Sequence, residues 1–285
     1  MAQQTDTAPQ HTAISDQWWR SAVIYQIYPR SFADANGDGI GDLRGLISRL
    51  DYLARLGVTC LWLNPIHPSP RRDDGYDITD FYGIHPQIGT LGDFADLLHQ
   101  ASNRGIRVMI DLVINHTSDQ HPWFQSARQS RDSPYRDWYV WSDTEPSDRR
   151  QGMVFPGQQD ETWTWDETAQ AWYYHRFYDF QPDLNTSNPE VMAEIRKIMG
   201  FWLELGVSGF RLDAGPEERR SYLEAYAAPR RGHLEPGLDR IDPDTGQVRY
   251  AVGSTMTHPD PHKRDASGYL SVATVPTKRA AAMPV

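Results

Sequence analysis

Short apolar runs alternate with longer segments of helical period along most of the chain up to residue 214. Four of these runs have the length of strands and are rich in β-branched and aromatic residues. They are AVIYQIY at 22–28, CLWLNPI at 60–66, RVMIDLVI at 107–114 and GFRLDA at 209–214. Because polar residues are scarce within them, the runs predict strands that are buried on both faces, as in a parallel sheet.

Amphipathic helices are predicted in the intervals before the second, third and fourth strands. The apolar residues at helical spacing are Leu43, Leu46, Ile47, Leu50, Leu53 and Ala54, then Phe94, Leu97, Leu98 and Ala101, then Val191, Ile195, Ile198, Met199, Trp202 and Leu205. Asp42 and Asn188 stand where helix N-caps are expected, and Pro189 suits the first helical position. Strand, helix and strand in repetition predict right-handed βαβ units and an α/β fold.

The repeat is interrupted between residues 117 and 180, where aromatic and polar residues dominate in WYVWSD, VFPG, TWTW and WYYHRFYDF. A segment of this length is too long for a plain loop, so we predict a small subdomain inserted after the third strand. Most of its aromatic residues are expected to form its own core. A few near its end are candidates to line a sugar site, because apolar ring faces stack on the C–H surfaces of pyranose rings.

Composition and charge narrow the classes of ligand. The net charge of −10 gives no basic surface for nucleic acid or an anionic membrane, so neutral or cationic ligands are favoured. Cys60, the only cysteine, lies in an apolar run and is predicted to be a buried structural thiol. The first residues lack the features of a signal peptide, and no apolar run is long enough to span a membrane. A soluble, cytoplasmic protein is expected.

The stretch DANGDGIGD, residues 34–42, places acidic and amide side chains at short, regular spacing. Asn-Gly and Asp-Gly dipeptides are typical of tight turns, which is the simplest interpretation. The alternative is a loop that binds one hard cation, because such cations prefer oxygen ligands at this kind of spacing. The candidate ligands are Asp34, Asn36, Asp38, Asp42 and the backbone carbonyl near Ile40. An EF-hand is excluded, since Gly45 stands where the Glu of the twelfth position is needed.

Other polar residues are concentrated where three of the predicted strands end, which is where a β/α barrel builds its active site. They are Asp73, Asp74, Tyr76 and Asp77 after the second strand, Asp111, Asn115 and His116 at the third, and Arg211 and Asp213 at the fourth. Taken singly, His116 is explained as a hydrogen-bonded rim histidine, and Arg211 with Asp213 as a structural ion pair. Because alternate residues of a strand share a face, Arg211 would also keep Asp213 ionised, as a glycosidase nucleophile requires.

Four ordered motifs, DANGDGIGDL, DLVINH, QPDLN and GFRLD, resemble the α-amylase superfamily of glycoside hydrolases. The similarity runs from about Trp18 to Ala214 and points to the N-terminal half of the catalytic domain in the oligo-1,6-glucosidase and α-glucosidase branch. Trehalose synthases and sucrose-acting enzymes look similar. The resemblance implies a (β/α)8 TIM barrel with an inserted B domain after strand 3, and retention of the anomeric configuration through a glycosyl-enzyme.

The predicted division of the chain follows from the motifs and the resemblance together. It consists of a disordered leader at 1–17, the first part of the barrel at 18–116, the B domain at 117–180, a fourth βα unit at 181–214 and an irregular tail at 215–285 that does not match the family.

The resemblance also implies a role for each matching residue. Those residues are Asp213 as nucleophile with Arg211 beside it, His116 and Asp111 at the sugar that is cleaved, Asp73 and Tyr76 at the terminal non-reducing glucose, and Phe177 and Gln181 shaping that subsite. For the loop at 34–42 the resemblance implies bound Ca²⁺, or Mg²⁺ in its place, in addition to a turn.

The chain departs from the family's pattern after Ala214. A retaining glycosidase needs a second carboxyl group about 5 Å from the first. None of Glu217, Glu218, Glu224 and Glu235 follows a strand-like run, so none is assigned that role. Four strands also leave an eight-stranded barrel open, with unpaired edges. The open interpretations are a truncated or frameshifted copy of a longer enzyme, which we favour, a half-barrel that pairs with another subunit, and a non-enzymatic relative that binds sugar.

The function predicted for the full-length form is that of an α-glucosidase-type retaining glycoside hydrolase. It would release terminal α-linked glucose from oligosaccharides such as maltose or isomaltose. A catalytically inactive carbohydrate-binding or pairing fragment is the alternative from another class. A trehalose synthase or glucosyl transferase is the alternative within the same superfamily. No organic cofactor, nucleic acid or membrane partner is expected.

Overall fold

A computed structural model describes residues 18–155 and 157–212 of the chain. The strands in this part are β1 (Ile24–Ile27), β2 (Cys60–Leu63), β3 (Arg107–Leu112), β4 (Trp141–Ser142), β5 (Trp163–Asp166), β6 (Ala171–Tyr174) and β7 (Gly209–Leu212). The α-helices are α1 (Pro29–Phe32), α2 (Leu43–Ser48), α3 (Leu50–Arg55), α4 (Leu91–Ser102), α5 (Pro122–Gln129) and α6 (Pro189–Leu205). The predicted leader at 1–17, Asp213 and the predicted tail at 215–285 lie outside the described residues.

The four predicted strands form one parallel sheet in the order β1-β2-β3-β7. Each of the first three strands occupies only part of its apolar run. In the third run, for example, Val113 and Ile114 follow the end of β3 and are fully buried. The predicted α/β fold with a parallel sheet is therefore confirmed, and its first three strands are shorter than the runs that contain them.

The two faces of this sheet pack against different partners, because successive side chains of a strand point to opposite faces. One face contributes Leu61, Leu63, Val108, Ile110, Phe210 and Leu212 to a large core that includes the apolar sides of α2, α3, α4 and α6. The other contributes Cys60, Trp62 and Met109 to a smaller cluster with Trp18, Trp19, Ala22 and Ile24. Cys60 is fully buried there, as predicted, and burial raises the pKa of its thiol to about 12.

The helix predicted over residues 43–54 is two short helices, α2 and α3, that meet at Arg49. The Oγ of Ser48 donates to the carbonyl of Gly45 at 2.6 Å, and the Arg49 amide bonds to the carbonyl of Leu46 three residues back. Such local bonds compete with the regular i to i−4 ladder and tighten the chain. The Asp42 side chain caps α2 through the Gly45 amide, as predicted.

The other two predicted helices are single and regular. Helix α4 begins at a capping box, in which the side chains of Thr90 and Asp93 each accept the other residue's backbone amide. Helix α6 begins at Asn188, which accepts from the amide of Glu190, and it ends at Gly206 in the left-handed conformation. Both helices bury the apolar residues that the spacing predicts, except that Leu205 at the end of α6 is only partly buried against the core.

Residues 117–180 contain α5 and a separate antiparallel sheet of order β4-β6-β5. Two isolated bridges, His116 with Asp183 and Tyr139 with Leu184, join the two ends of this segment. The prediction that its aromatic residues form a core of their own is wrong for several of them. Phe124, Trp138, Tyr139 and Tyr173 belong to the same core cluster as the parallel sheet, and Phe124 of α5 contacts both Tyr139 and Tyr173 within it.

The described helices include none that combines the length and the apolar character needed to cross a lipid bilayer.

Candidate active site

A fully buried carboxylate, Asp111, lies near the carboxyl end of β3 at the centre of a polar network. Its Oδ1 accepts from the indole Nε1 of Trp62 at 2.9 Å, and its Oδ2 accepts from the hydroxyl of Tyr76 at 3.0 Å. The Nη1 of Arg211 lies 3.5 Å from Oδ1. A buried carboxylate with two donors and a cation is compensated for its loss of hydration.

Strand register brings these groups together. Asp111 and Arg211 are direct partners across β3 and β7, so their side chains stand on the same face of the sheet. Trp62 is paired with Met109, two residues before Asp111, and reaches the carboxylate from the neighbouring strand. The guanidinium of Arg211 lies 5.5 Å from the centre of the Trp62 ring, so the indole supports the cation as well as the carboxylate.

Tyr76 connects Asp111 to the loop after β2. Its hydroxyl donates to Asp111 and accepts from the side-chain amide of Asn64 at 3.2 Å, and its backbone amide donates to the carbonyl of Asp73 at 2.8 Å. The backbone carbonyl of Tyr76 lies 3.1 Å from Nε2 of His116. Three segments of the chain therefore meet at this one tyrosine.

His116 is a buried residue, 1% exposed, rather than a histidine on the rim. Since a carbonyl can only accept, the contact with Tyr76 places the proton on Nε2 and leaves Nδ1 to accept from the side chain of Asn115 at 3.4 Å. The ring of Phe177 packs edge to face on the imidazole, with 5.1 Å between ring centres. These contacts fix the orientation of His116 relative to Phe177 of the inserted segment.

Asp73 and Gln181 form a direct pair. The side-chain amide of Gln181 donates to Oδ2 of Asp73 at 2.8 Å, and its carbonyl oxygen accepts from the Tyr178 amide at 3.3 Å. Gln181 is fully buried, so it holds Asp73 from a fixed position. With the contacts above, the structure links seven of the predicted site residues, which are Asp73, Tyr76, Asp111, His116, Phe177, Gln181 and Arg211.

Comparison with known proteins identifies the scaffold. Residues 26–234 match the family model described as the catalytic domain of alpha amylase. The chain is 52% identical over 200 residues to the trehalose synthase of a Pimelobacter species, covering 70% of this chain and 35% of that protein. It is 50% identical over 200 residues to the oligo-1,6-glucosidase of Parageobacillus thermoglucosidasius, covering 69% and 35% respectively. The chain belongs to the α-amylase family.

Solved structures lead to the same family. The crystal structure of trehalose-6-phosphate hydrolase from Bacillus licheniformis superposes with a TM-score of 0.65 and 44% sequence identity, covering 68% of this chain and 35% of that one. The parallel strands β1, β2, β3 and β7 are therefore the first part of an α-amylase family barrel. The chain spans about a third of the length of the curated relatives it matches.

In this α-amylase family chain, the predicted nucleophile Asp213 lies outside the described residues, directly after β7 ends at Leu212. Its assignment stays a prediction from the resemblance. The neighbouring Arg211, which the resemblance places beside it, belongs to the described network through Asp111.

The loop at residues 34–42 is a set of hydrogen-bonded turns. Asp34 accepts from the amides of Asn36, Gly37 and Gly39, and these bonds lower the pKa of its carboxyl group. Asn36 and Asp38 each accept from an amide two residues on, as in Asx turns. Gly37 and Gly39 have φ values of +82° and +85°, which glycine adopts without strain. The predicted turn is confirmed.

Whether the loop also binds the predicted cation is a separate question from its turn geometry. The donor set is chemically suited to a hard cation, since it consists of carboxylate, amide and carbonyl oxygens. In the described part of the chain, however, no three His, Cys, Asp or Glu side chains converge on a point where a metal would bind. Asp42 is buried and accepts from the amides of Ala35 and Gly45. The turn geometry alone thus accounts for the loop, and the cation stays a prediction.

Four residues that contact this network were given no role from the sequence, and they are Trp62, Asn64, Arg72 and Asp119. Trp62 and Asn64 occupy alternate positions around the end of β2, so the alternation of strand side chains could have placed them on the same face as the site. Arg72 and Asp119 form an ion pair of 2.8 Å between two different loops. A contact between two loops leaves no periodic pattern in the sequence from which it could be predicted.

Proposed function

We propose that the chain carries the glucose-binding part of an α-glucosidase-type retaining glycoside hydrolase, which in its complete form releases terminal α-linked glucose from oligosaccharides. The observation that carries this proposal is the contact network that joins Asp73 and Gln181 to Tyr76, Asp111 and Arg211. It combines fixed carboxylates with aromatic rings at the carboxyl ends of parallel strands, the part of a β/α barrel where active sites are built.

The chemistry of the network suits a sugar ring. Sugar hydroxyls donate to carboxylates, and each carboxylate has about four lone-pair positions, so a carboxylate that accepts from a protein donor can accept further bonds. Asp73 accepts from Gln181. Tyr76 adds an aromatic ring beside Asp111, and Phe177 adds one beside His116. A site of this composition would hold the non-reducing end of the substrate and favour removal of single glucose units.

The proposed reaction begins with attack of the Asp213 carboxylate on the anomeric carbon, while the glycosidic C–O bond breaks and an acid protonates the departing oxygen. Water then hydrolyses the glycosyl-enzyme ester. Arg211 would keep the nucleophile ionised, and Asp111 would hold Arg211 through the contact of 3.5 Å. The acid does not belong to the seven linked residues, so it must be supplied by another part of the complete enzyme.

The second candidate is glucosyl transfer of the trehalose synthase type. It is favoured by the 52% identity to the Pimelobacter trehalose synthase, which is as high as the similarity to the oligo-1,6-glucosidase. Transfer uses the same nucleophile and differs in how well water is excluded from the intermediate. The third candidate is a catalytically inactive sugar-binding chain, because binding requires only the network, whereas turnover requires a second carboxyl group.

A cation in the loop at 34–42 is part of the same proposal. Asp34, Asn36, Asp38, Asp42 and the carbonyl of Ile40 would hold Ca²⁺ or Mg²⁺, which would tie the loop after β1 to the start of α2. Titration of the chelated protein with each ion, followed by the melting temperature, tests it. We expect Ca²⁺ to raise the melting temperature of the native protein and to have no effect on Asp38→Ala. Equal responses of both proteins would exclude this site.

The experiment that tests the proposed function measures the products that the purified chain makes from maltose and isomaltose, with Asp213→Asn as the control. Glucose release that the substitution abolishes supports hydrolysis, and trehalose formed from maltose supports transfer. Binding of maltose without turnover, weakened but still measurable in Asp73→Ala, supports the inactive sugar-binding chain. A folded protein that neither binds nor converts these sugars contradicts all three candidates.

A further inference from the structure

We infer that Arg72 is a positioning residue for sugar recognition, and this inference rests on the proposed function. Arg72 directly precedes Asp73 in the loop after β2. Its Nη1 donates to Asp119 at 2.8 Å, and its guanidinium lies 4.0 Å from the centre of the Phe180 ring. Its backbone amide donates to Asp77 at 2.9 Å. One residue therefore joins three segments of the chain around the candidate active site.

Two neighbouring residues on one loop contact two neighbouring residues on another. Arg72 lies on Phe180, and Asp73 accepts from Gln181. The backbone carbonyl of Phe180 accepts from the amide of Asp119 at 2.8 Å, so the carboxylate partner of Arg72 is itself attached to the same segment. Displacement of Arg72 would shift the separation between the loop and Gln181, and with it the position of the Asp73 carboxylate.

The guanidinium rests on a stack of rings rather than on one ring. Phe180 is stacked on Tyr178 with 5.1 Å between ring centres, and Tyr178 is stacked on Phe155 at 5.2 Å. Planar guanidinium groups bind such ring faces better than ammonium groups do. Arg72 thereby attaches the loop after β2 to aromatic residues of the inserted segment.

The loop itself needs external support. Arg71 and Asp74, on either side of the pair, have φ values of +63° and +49° in the left-handed region. Residues other than glycine adopt this conformation at a cost in energy, and they retain it only when surrounding contacts determine the backbone. The contacts of Arg72 with Asp119 and Phe180 are two of those supports, and both cross to segments far along the chain.

The decisive experiment measures maltose affinity by calorimetry and the hydrogen exchange of the amides of residues 73–77 in the sugar-free protein. We expect Arg72→Ala to weaken maltose binding about tenfold, because a misplacement of about 1 Å can cost on the order of a hundredfold in an enzyme's rate and the shift of Asp73 should be smaller. Arg72→Lys should recover part of the affinity, since it keeps the charge and loses the planar stack. The Tyr76 amide, bonded to Asp73, should exchange faster in Arg72→Ala.

Arg44→Ala is the matched control. Arg44 also forms an ion pair of 2.8 Å with one aspartate, Asp93, and lies outside the candidate active site. It should change neither affinity nor exchange at 73–77. In an Asp73→Ala background, Arg72→Ala should have no further effect on affinity, because Arg72 acts through Asp73. An additive effect there, or native exchange at residues 73–77 in Arg72→Ala, overturns the inference. If the native protein does not bind maltose, the proposed function fails and the exchange measurement still decides the role of Arg72.

Discussion

The two faces of the parallel sheet are formed by the same four strands but carry chemically different side chains. The face toward α2, α3, α4 and α6 carries aliphatic side chains in one continuous core. The opposite face ends in Trp62, Asp111 and Arg211, which are joined by hydrogen bonds and charge. Alternation along a strand lets one short sequence serve both purposes. Substitutions on the helix side should therefore change stability alone, whereas those on the opposite face should also change sugar affinity.

The largest effect is expected for Trp202→Ala on the helix side. Trp202 is fully buried, packs against Phe94 and donates its indole proton to the Phe81 carbonyl at 2.9 Å. We expect the free energy of unfolding in urea to fall by about 4 kcal/mol. Trp165→Ala, at a partly exposed tryptophan of β5, should lose much less. Weaker maltose binding by the folded fraction of Trp202→Ala would show that the two faces are not independent.

Asp111→Asn tests the opposite face. The substitution keeps the size of the side chain and removes the negative charge that lies 3.5 Å from the largely buried Arg211. The free energy of unfolding should fall by about 3 kcal/mol, since a buried ion pair is broken. Maltose affinity should fall as well, which calorimetry would detect. Adding Arg211→Met should restore part of the stability and none of the affinity. Native affinity in Asp111→Asn would remove Asp111 from the site.

A pH titration examines His67, a buried imidazole that packs within the aromatic part of the helix-side core. His67 lies against Phe81 and Trp202, and neither ring nitrogen has a hydrogen-bond partner within the described residues. Burial lowers its pKa from 6.5 to about 3. Below its unfolded pKa the unfolded state binds the extra proton, so stability is full above that value and is lost as the pH falls toward 3.

Between pH 6.5 and pH 5, His67 should therefore remove about 2 kcal/mol from the free energy of unfolding. His67→Phe suits the aromatic surroundings. It should reduce the slope of the free energy of unfolding against pH by up to the contribution of one bound proton. His121, whose pKa burial also lowers to about 3, remains in both proteins and contributes equally to both slopes. Identical slopes for the native and substituted proteins would contradict the neutral state of His67.

The smallest effect is expected at the start of α4. Thr90→Ala removes the hydroxyl that accepts from the Asp93 amide at 3.1 Å. Loss of such a cap should lower the free energy of unfolding by about 1 kcal/mol. Ser102→Ala, at the exposed end of the same helix, should change it by less than about 0.5 kcal/mol. Maltose affinity should stay native in both variants, and a change in it would contradict the separation of the two faces.

The periodicity of apolar residues predicted the helices and strands, and the polar residues at the ends of the strands predicted where the candidate site lies. Both predictions depend on spacing along the chain. The four strands, α4 and α6 follow directly from apolar positions. The break at Arg49 does not, since it depends on a side-chain bond of Ser48 that leaves the apolar pattern unchanged. The indole of Trp62 meets Asp111 from 49 residues away, and that meeting depends on strand register and side-chain reach. Contacts between loops, such as Arg72 with Asp119, are set by the assembled fold.

The pairing of β4 with β6 in the inserted segment has a consequence for how such enzymes diversify. Ser142 of β4 and Trp172 of β6 are paired neighbours, and the aromatic residues that anchor the segment to the core lie outside the stretch between them or beside it. The chain that connects this pair leaves and returns at one place. Within the described residues the antiparallel sheet shares no ladder with β1, β2, β3 and β7, so a change of length in this stretch should leave the register of the barrel strands intact. Loss of Phe155 from the stretch would remove the ring that stacks on Tyr178.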